Sequence, residues 1–232
     1  MTPLQHIQAR HARLSLVIFD CDGVLVDSEP ISNGIIADEL TQAGWPMTAH
    51  EAAQHFLGMV WPDMEPVIAA RLGRPVQTVW KHAVMQRILA ELSTSARAIP
   101  GAVEALQAAT DLGLPWRIAS NSSHEEMQAK FGRLGIADIV QGRVHSHRDV
   151  ARAKPAPDLF LAAAAAEGVT PQSCLVIEDS LTGMRAAAAA GMECLAYVPH
   201  GTVDAATALG AWPFQSMFEL PALFKAALQV IA

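Results

Sequence analysis

Two kinds of apolar pattern alternate along the chain. Leu16-Val17-Ile18-Phe19 is a continuous apolar run, as a central parallel strand buried on both faces requires. From Pro30 to about Ser95 the period becomes helical: Ile31, Ile35, Ile36 and Leu40, then Val67, Ile68 and Leu72, then Val79, Trp80, Val84, Met85, Ile88, Leu89 and Leu92, with no strand-like run between them. Ser28 stands where it can cap the first of these helices, with Pro30 in its opening turn and Gly44-Trp45-Pro46 past its end. Beyond Pro100-Gly101, helical and strand-like segments alternate. Helices are expected at 102–112, 124–134, 157–167 and 182–190, and strands at 115–120, 139–144, 174–178 and 194–198. Residues 1–13 read as a loose leader or first turn, and 214–231 as a short surface strand or loop followed by a closing helix.

This order predicts an α/β fold: a Rossmann-like parallel-sheet core sandwiched by helices, built from residues 1–29 and 96–232, with an all-helical cap domain inserted at 30–95. The alanine blocks at 162–166 and 186–190 fit helices lying close against a sheet.

The first strand stops on Asp20-Cys21-Asp22-Gly23. Two carboxylates one residue apart at the end of an apolar strand repel each other and resist desolvation, so a proton or a cation must offset them. A divalent ion would do so, taking the Asp20 carboxylate and the Asp22 backbone carbonyl while Gly23 allows the turn. Taken alone, the tetrapeptide reads equally well as a polar strand end followed by an ordinary Asp-Gly turn. In open parallel sheets the ligand lies outside the carboxyl ends of the strands. The polar residues expected there are Asp20 and Asp22, Ser120-Asn121-Ser122, Lys154-Pro155 and Glu178-Asp179-Ser180. By itself Ser120-Asn121 is a common capping turn, Lys154-Pro155 carries little information, and Glu178-Asp179-Ser180 could equally be a helix cap.

Composition narrows the setting. A net charge of −7 gives no electrostatic footprint for nucleic acid. Charged residues are only 17%, yet the apolar runs are short and alanine-rich, so no membrane span is expected. Residues 1–13 lack the apolar block of a secretory signal, and a cytoplasmic location is expected. Cys21, Cys174 and Cys194 are odd in number and sit in or beside apolar runs, which fits buried reduced thiols. Any anionic substrate must be drawn in locally, and a monomer or weak homodimer is expected.

The run Phe19-Asp20-Cys21-Asp22-Gly23-Val24-Leu25-Val26-Asp27-Ser28-Glu29 resembles the first motif of the haloacid dehalogenase superfamily, in its cap-bearing phosphatase and β-phosphoglucomutase branch. Ser120-Asn121, Lys154-Pro155-Ala156-Pro157-Asp158 and Glu178-Asp179-Ser180-Leu181-Thr182-Gly183 follow in the order of the remaining motifs. The resemblance implies that Asp20 is the nucleophile that becomes an aspartyl phosphate and that Asp22 is the general acid and base. It implies that Ser120 and Asn121 bind phosphate, that Lys154 offsets the charge of the transition state, and that Asp179 completes a metal site with Asp20, Asp22 and Glu178. Oxygen ligands beside a phosphate point to Mg²⁺.

Within that superfamily the dehalogenases lack the second acid, so Asp22 favours phosphoryl transfer. The mutases resembled carry a histidine about a dozen residues after the nucleophile and an arginine in the cap loop. Here Ser32 and Trp61 stand near those places. The expectation is therefore a phosphomonoester hydrolase acting on a sugar, sugar acid or polyol phosphate. A phosphosugar mutase and a non-catalytic phosphometabolite-binding module are the alternatives. The loop around Gly58, with Glu29 and Asn33 near the hinge, is expected to shape the leaving-group pocket, whereas His55, Trp61 and Arg71 are expected to be packing or surface residues.

Overall fold

The computed structural model describes residues 2–8, 13–56, 58–200 and 203–229. In chain order its elements are α1 (Pro3–Gln8), β1 (Leu16–Phe19), β2 (Val26–Asp27), α2 (Glu29–Ala43), α3 (Ala49–Phe56), α4 (Trp61–Leu72), α5 (Thr78–Ser95) and β3 (Arg97–Ala98). There follow α6 (Ala102–Asp111), β4 (Trp116–Ser120), α7 (His124–Leu134), α8 (Ala137–Val140), β5 (Val144–Ser146), α9 (Asp158–Ala166), β6 (Cys174–Glu178) and α10 (Leu181–Ala189). The chain closes with β7 (Glu193–Tyr197), α11 (Asp204–Ala208), β8 (Trp212–Phe214) and α12 (Leu220–Leu228).

Six strands form one parallel sheet in the order β5-β4-β1-β6-β7-β8. β1 lies inside it, and its side chains alternate between two apolar layers. Val17 and Phe19 join one buried cluster, and Leu16 and Ile18 join the other. β6 divides in the same way, with Leu175 and Ile177 on one face and Cys174 and Val176 on the other. This two-sided burial is why both strands read as unbroken apolar runs. Phe19 is in register with Ile118 on one side and Ile177 on the other, which brings the ends of β1, β4 and β6 to a common edge.

The four helices α2 to α5 form the inserted cap, and the short antiparallel pair β2 and β3 closes its base. α2 ends at Gly44, whose φ of 104° is the left-handed conformation that stops a helix. Among the described residues no helix is long and apolar enough to cross a membrane.

One local expectation is corrected, and two that left alternatives open are decided. The strand expected at 139–144 is instead the helical turn α8 followed by a strand at Val144–Ser146. Ile139 is 44% exposed while Val140 is buried, and Gly142 at φ 73° redirects the chain before the strand begins. An apolar pair was thus one helical turn rather than the start of a strand. The amino-terminal stretch, expected as a loose leader or first turn, carries over its described part the short helix α1, which packs on α12 and buries Ile7. Residues 9–12 of that stretch lie outside the described residues. Of the short surface strand or loop expected before the closing helix, the structure has the strand: β8 pairs with β7 at the sheet edge, and Phe214 is buried against Tyr197 with ring centroids 5.5 Å apart.

Candidate active site

Asp20 follows the last residue of β1 and is buried. The Lys154 ammonium, from the loop between β5 and α9, donates to Asp20 Oδ1 at 2.6 Å and to Glu178 Oε1 at 2.8 Å, and it lies 4.5 Å from the centre of the Phe160 ring. Glu178 ends β6. Its second oxygen accepts from the Ser180 backbone N–H at 2.8 Å and from the Ser180 hydroxyl at 2.9 Å. Asp179 comes next in the chain, and one carboxylate oxygen each from Asp20, Glu178 and Asp179 lie within 4.8 Å of one another.

One lysine among three acids leaves an excess of negative charge. Burial pushes the Asp20 carboxyl up to about 7, with Glu178 and Asp22 adding to the effect and Lys154 opposing it. Asp179 is also raised well above its ordinary value, by burial first and then by Glu178 and Asp20. A hard cation would relieve both, and an all-carboxylate donor set suits Mg²⁺ or a similar ion. The backbone is drawn tightly around these acids. A Cβ on Gly23 would stand 1.9 Å from Asp179 Oδ2, and one on Gly183 would stand 1.6 Å from Glu178 Oε1. Asp20, Asp179 and Glu178, all expected at the metal site, therefore form one cluster with Lys154.

The Asp22 carboxylate sits outside that cluster. Its Oδ1 accepts from the Ser28 hydroxyl and from the Lys130 ammonium at 2.5 Å; its Oδ2 accepts from the hydroxyls of Ser122 at 2.7 Å and Ser120 at 3.2 Å. Burial would raise this carboxyl, but Lys130 and the hydroxyls outweigh it and hold it at about 2. Asp22 is therefore an anion that accepts four hydrogen bonds. Ser28 precedes α2 without capping it through its side chain, because that hydroxyl is spent on Asp22. Lys130 is 2% exposed and also donates to Ser122 at 2.7 Å. Neither Lys130 nor the Ser28 contact was expected. The available signal was a lysine inside the apolar stripe Met127, Phe131 and Leu134 of α7, a helix fixed at its start by the Ser123–Glu126 capping box.

Asn121, expected at the phosphate, has its side chain committed elsewhere. Its amide donates to the carbonyls of Gly58 at 3.2 Å and Lys154 at 3.1 Å, and its oxygen accepts the Lys154 backbone N–H at 3.0 Å. It thus ties the cap loop to the lysine loop. Gly58, at φ 71°, approaches so closely that a Cβ there would stand 2.4 Å from Thr182 Oγ1. Leu57 of the same loop lies outside the described residues. A cavity of about 550 Å³ opens between cap and core and reaches Asp22, Asn121, Ser122 and Lys130 from one side and Glu29, Ser32 and Asn33 from the other. His55 and Arg71 pack against Trp45, at 5.4 and 5.7 Å, while Trp61 lines the cavity. All three cysteines are buried and none forms a disulfide, and burial raises the Cys21 thiol well above its ordinary value, which leaves it inert.

A sequence profile of the haloacid dehalogenase-like hydrolases matches residues 14–191. The chain is 28% identical over 218 residues to 6-phosphogluconate phosphatase of Escherichia coli, covering 93% of this chain and 96% of that protein. It is 29% identical over 189 residues to hexitol phosphatase A of the same organism, covering 77% and 81%. Among solved structures, a hydrolase of the same superfamily from Deinococcus radiodurans with bound phosphate and sodium superposes with a TM-score of 0.72 at 33% identity, covering 95% of this chain and 100% of that one. A haloacid dehalogenase-like protein of unknown function from Agrobacterium tumefaciens gives 0.75 at 32%, covering 92% and 98%. With the motif order and the strand-end acids, these matches place the chain in the haloacid dehalogenase-like hydrolase family, in its cap-bearing phosphatase and β-phosphoglucomutase-like branch.

Proposed function

We propose that this protein is a Mg²⁺-dependent phosphomonoesterase that hydrolyses a small phosphorylated metabolite, a sugar, sugar acid or polyol phosphate, through an aspartyl phosphate on Asp20. The observation that carries this reading is the buried Asp20 carboxylate, held by Lys154 at 2.6 Å within reach of Glu178 and Asp179. Asp20, Glu178 and Asp179 would hold the ion, with the Asp22 carbonyl as a further donor. When bound, the ion supplies positive charge that screens the Asp20 carboxylate from the phosphoryl oxygens it must approach.

In the first half-reaction an Asp20 oxygen bonds to phosphorus as the bond to the leaving oxygen breaks, and that oxygen takes a proton from Asp22. In the second, water attacks phosphorus, Asp22 accepts its proton, and the Asp20–phosphorus bond breaks. An Asp22 held by four donors has no proton to give. The acid step therefore requires Asp22 to leave Lys130 and Ser28 and pick up a proton. Lys154 keeps its charge at neutral pH, because Asp20 and Glu178 outweigh the effect of burial. It stabilises the anion that builds up on the phosphoryl group. Ser120 would turn its hydroxyl from Asp22 to a phosphoryl oxygen, with Asn121 bracing the loop beside it.

Hydrolysis is favoured over mutation of a phosphosugar because Ser32 and Trp61 line the cavity, and neither offers the imidazole or guanidinium of the mutases resembled. The test is phosphate release from p-nitrophenyl phosphate and a sugar-phosphate panel, with and without Mg²⁺, by the wild type and by Asp20→Asn. Mg²⁺-dependent release that disappears in Asp20→Asn is expected. Equal inertness of both proteins would leave a binding module. Interconversion of sugar 1- and 6-phosphates without net phosphate release would favour a mutase.

A further inference from the structure

The charges around the cavity restrict what can leave with the phosphate's oxygen. Three fixed cations line it among the described residues, and each already faces an acid: Lys130 on Asp22 at 2.5 Å, Arg148 on Glu125 at 2.9 Å, and Lys81 on Glu65. Glu29 also lines the cavity and has no basic partner among the described residues; Asp22, Asp27 and Glu178 are the charges that act on it. Two imidazoles, His82 and His147, also line the cavity. Burial and Arg148 push His147 further toward its neutral form.

A carboxylate or second phosphate entering this space would either compete for a cation that is already paired or be desolvated beside Glu29. Desolvation beside Glu29 costs free energy without a compensating contact, and taking a cation from its acid only exchanges one ion pair for another. The remaining wall is soft and apolar. Met59, Trp61, Met85 and Leu89 are each half-buried at the cavity, so they are free to cover the C–H or ring face of a guest. Ser32, Asn33 and Gln86 are neutral polar groups that can read hydroxyls.

We propose that the cavity selects phosphomonoesters whose leaving group is an uncharged alcohol with an apolar or ring face, and that Glu29 acts as the specificity residue that turns away leaving groups bearing a second anion. This rests on the phosphomonoesterase reading above and narrows it, since it removes sugar acids and bisphosphates from the substrate set. A volume of about 550 Å³ accommodates a ring together with its polar substituents.

The experiment compares kcat/KM with Mg²⁺ for matched pairs. Sorbitol 6-phosphate and 6-phosphogluconate differ by a terminal carboxylate, and glucose 6-phosphate and glucose 1,6-bisphosphate differ by a phosphate. Uridine 5'-phosphate probes the ring face, and p-nitrophenyl phosphate serves as the reference. In each pair the neutral leaving group is expected to be favoured by about tenfold or more, because like-charge juxtaposition is costly. Uridine 5'-phosphate should exceed sorbitol 6-phosphate, and Trp61→Ala should remove that advantage. Glu29→Gln should narrow both charge ratios by about threefold or more. Charge ratios near one in the wild type, a preference for the anionic members, or ratios untouched by Glu29→Gln would overturn the proposal while leaving hydrolysis intact. A wild type inert even on p-nitrophenyl phosphate would instead remove the phosphomonoesterase reading beneath it.

Discussion

Replacing Lys130 by methionine tests the link between the α7 lysine and Asp22. Methionine keeps most of the volume and the apolar stem but removes the ammonium, leaving Asp22 with hydroxyl donors alone. Asp22 is held at about 2 against an ordinary 3.8, and a depression of that size corresponds to about 2 kcal/mol of stability at neutral pH. Breaking a fully buried ion pair costs about 3–5 kcal/mol. The Asp22 side chain, however, keeps 27% of its exposure, so water relieves part of the loss. A destabilisation of about 2–3 kcal/mol is expected, or about 5–10 °C in Tm for a chain of this size. The assay is urea and thermal unfolding of wild type, Lys130→Met, Asp22→Asn and the double variant. Because the folded carboxyl is depressed, the stabilisation is complete above 3.8 and is lost as pH falls through about 2, so the gap between wild type and Lys130→Met should shrink in acid. A coupling of about 2 kcal/mol is expected from the cycle. Losses that add to within about 0.5 kcal/mol would refute the idea that these two groups hold each other.

Other outcomes follow from the same geometry. Asp20→Asn should abolish turnover while folding at least as stably as the wild type, since it removes a buried carboxyl that burial has already raised to about 7; circular dichroism and phosphate release measure the two together. Millimolar Mg²⁺ should raise the Tm of the wild type but not of Asp179→Asn, because an ion bound only by the folded state stabilises it. Gly183→Ala should lose about 1–3 kcal/mol in urea unfolding, since its Cβ would stand 1.6 Å from Glu178 Oε1 and must displace it. Asn121→Ala should raise KM more than it lowers kcat at saturating substrate and speed amide exchange around Gly58, because both the Gly58 carbonyl and the Lys154 loop lose their tie.

The sequence was informative where burial is two-sided or where chemistry is costly. β1 and β6 stand out as apolar runs because both faces are covered, and the acids at their ends stand out because charge is expensive there. The C-terminal strand Trp212–Phe214 was harder to read, since at three residues it has no usable period and its membership depends on pairing with β7. Ile139-Val140 misled because an apolar pair is shared by strands and short helices, and only Gly142 marks the turn between. At the site, the strand-end residues Asp20, Glu178 and Asp179 could be gathered from topology alone. Lys130 could not, because a lysine on a helix reads as a solvated residue until the partner beneath it is known. Ser28 looked like a cap for a similar reason: a hydroxyl before a helix has two available customers, and only the fold decides that Asp22 takes it.

The strand that bears Asp20 has β4 and β6 on its two edges and a buried layer on each face. Its amides can meet solvent only when the whole core opens, so Val17 to Phe19 should rank with the slowest-exchanging positions in the molecule. The proposed nucleophile is thus mounted on an immobile anvil, whereas Lys154, Asn121 and Gly58 hang from connecting segments. Under the proposed function, changes in those segments should retune which guest is admitted while the proposed point of attack stays fixed.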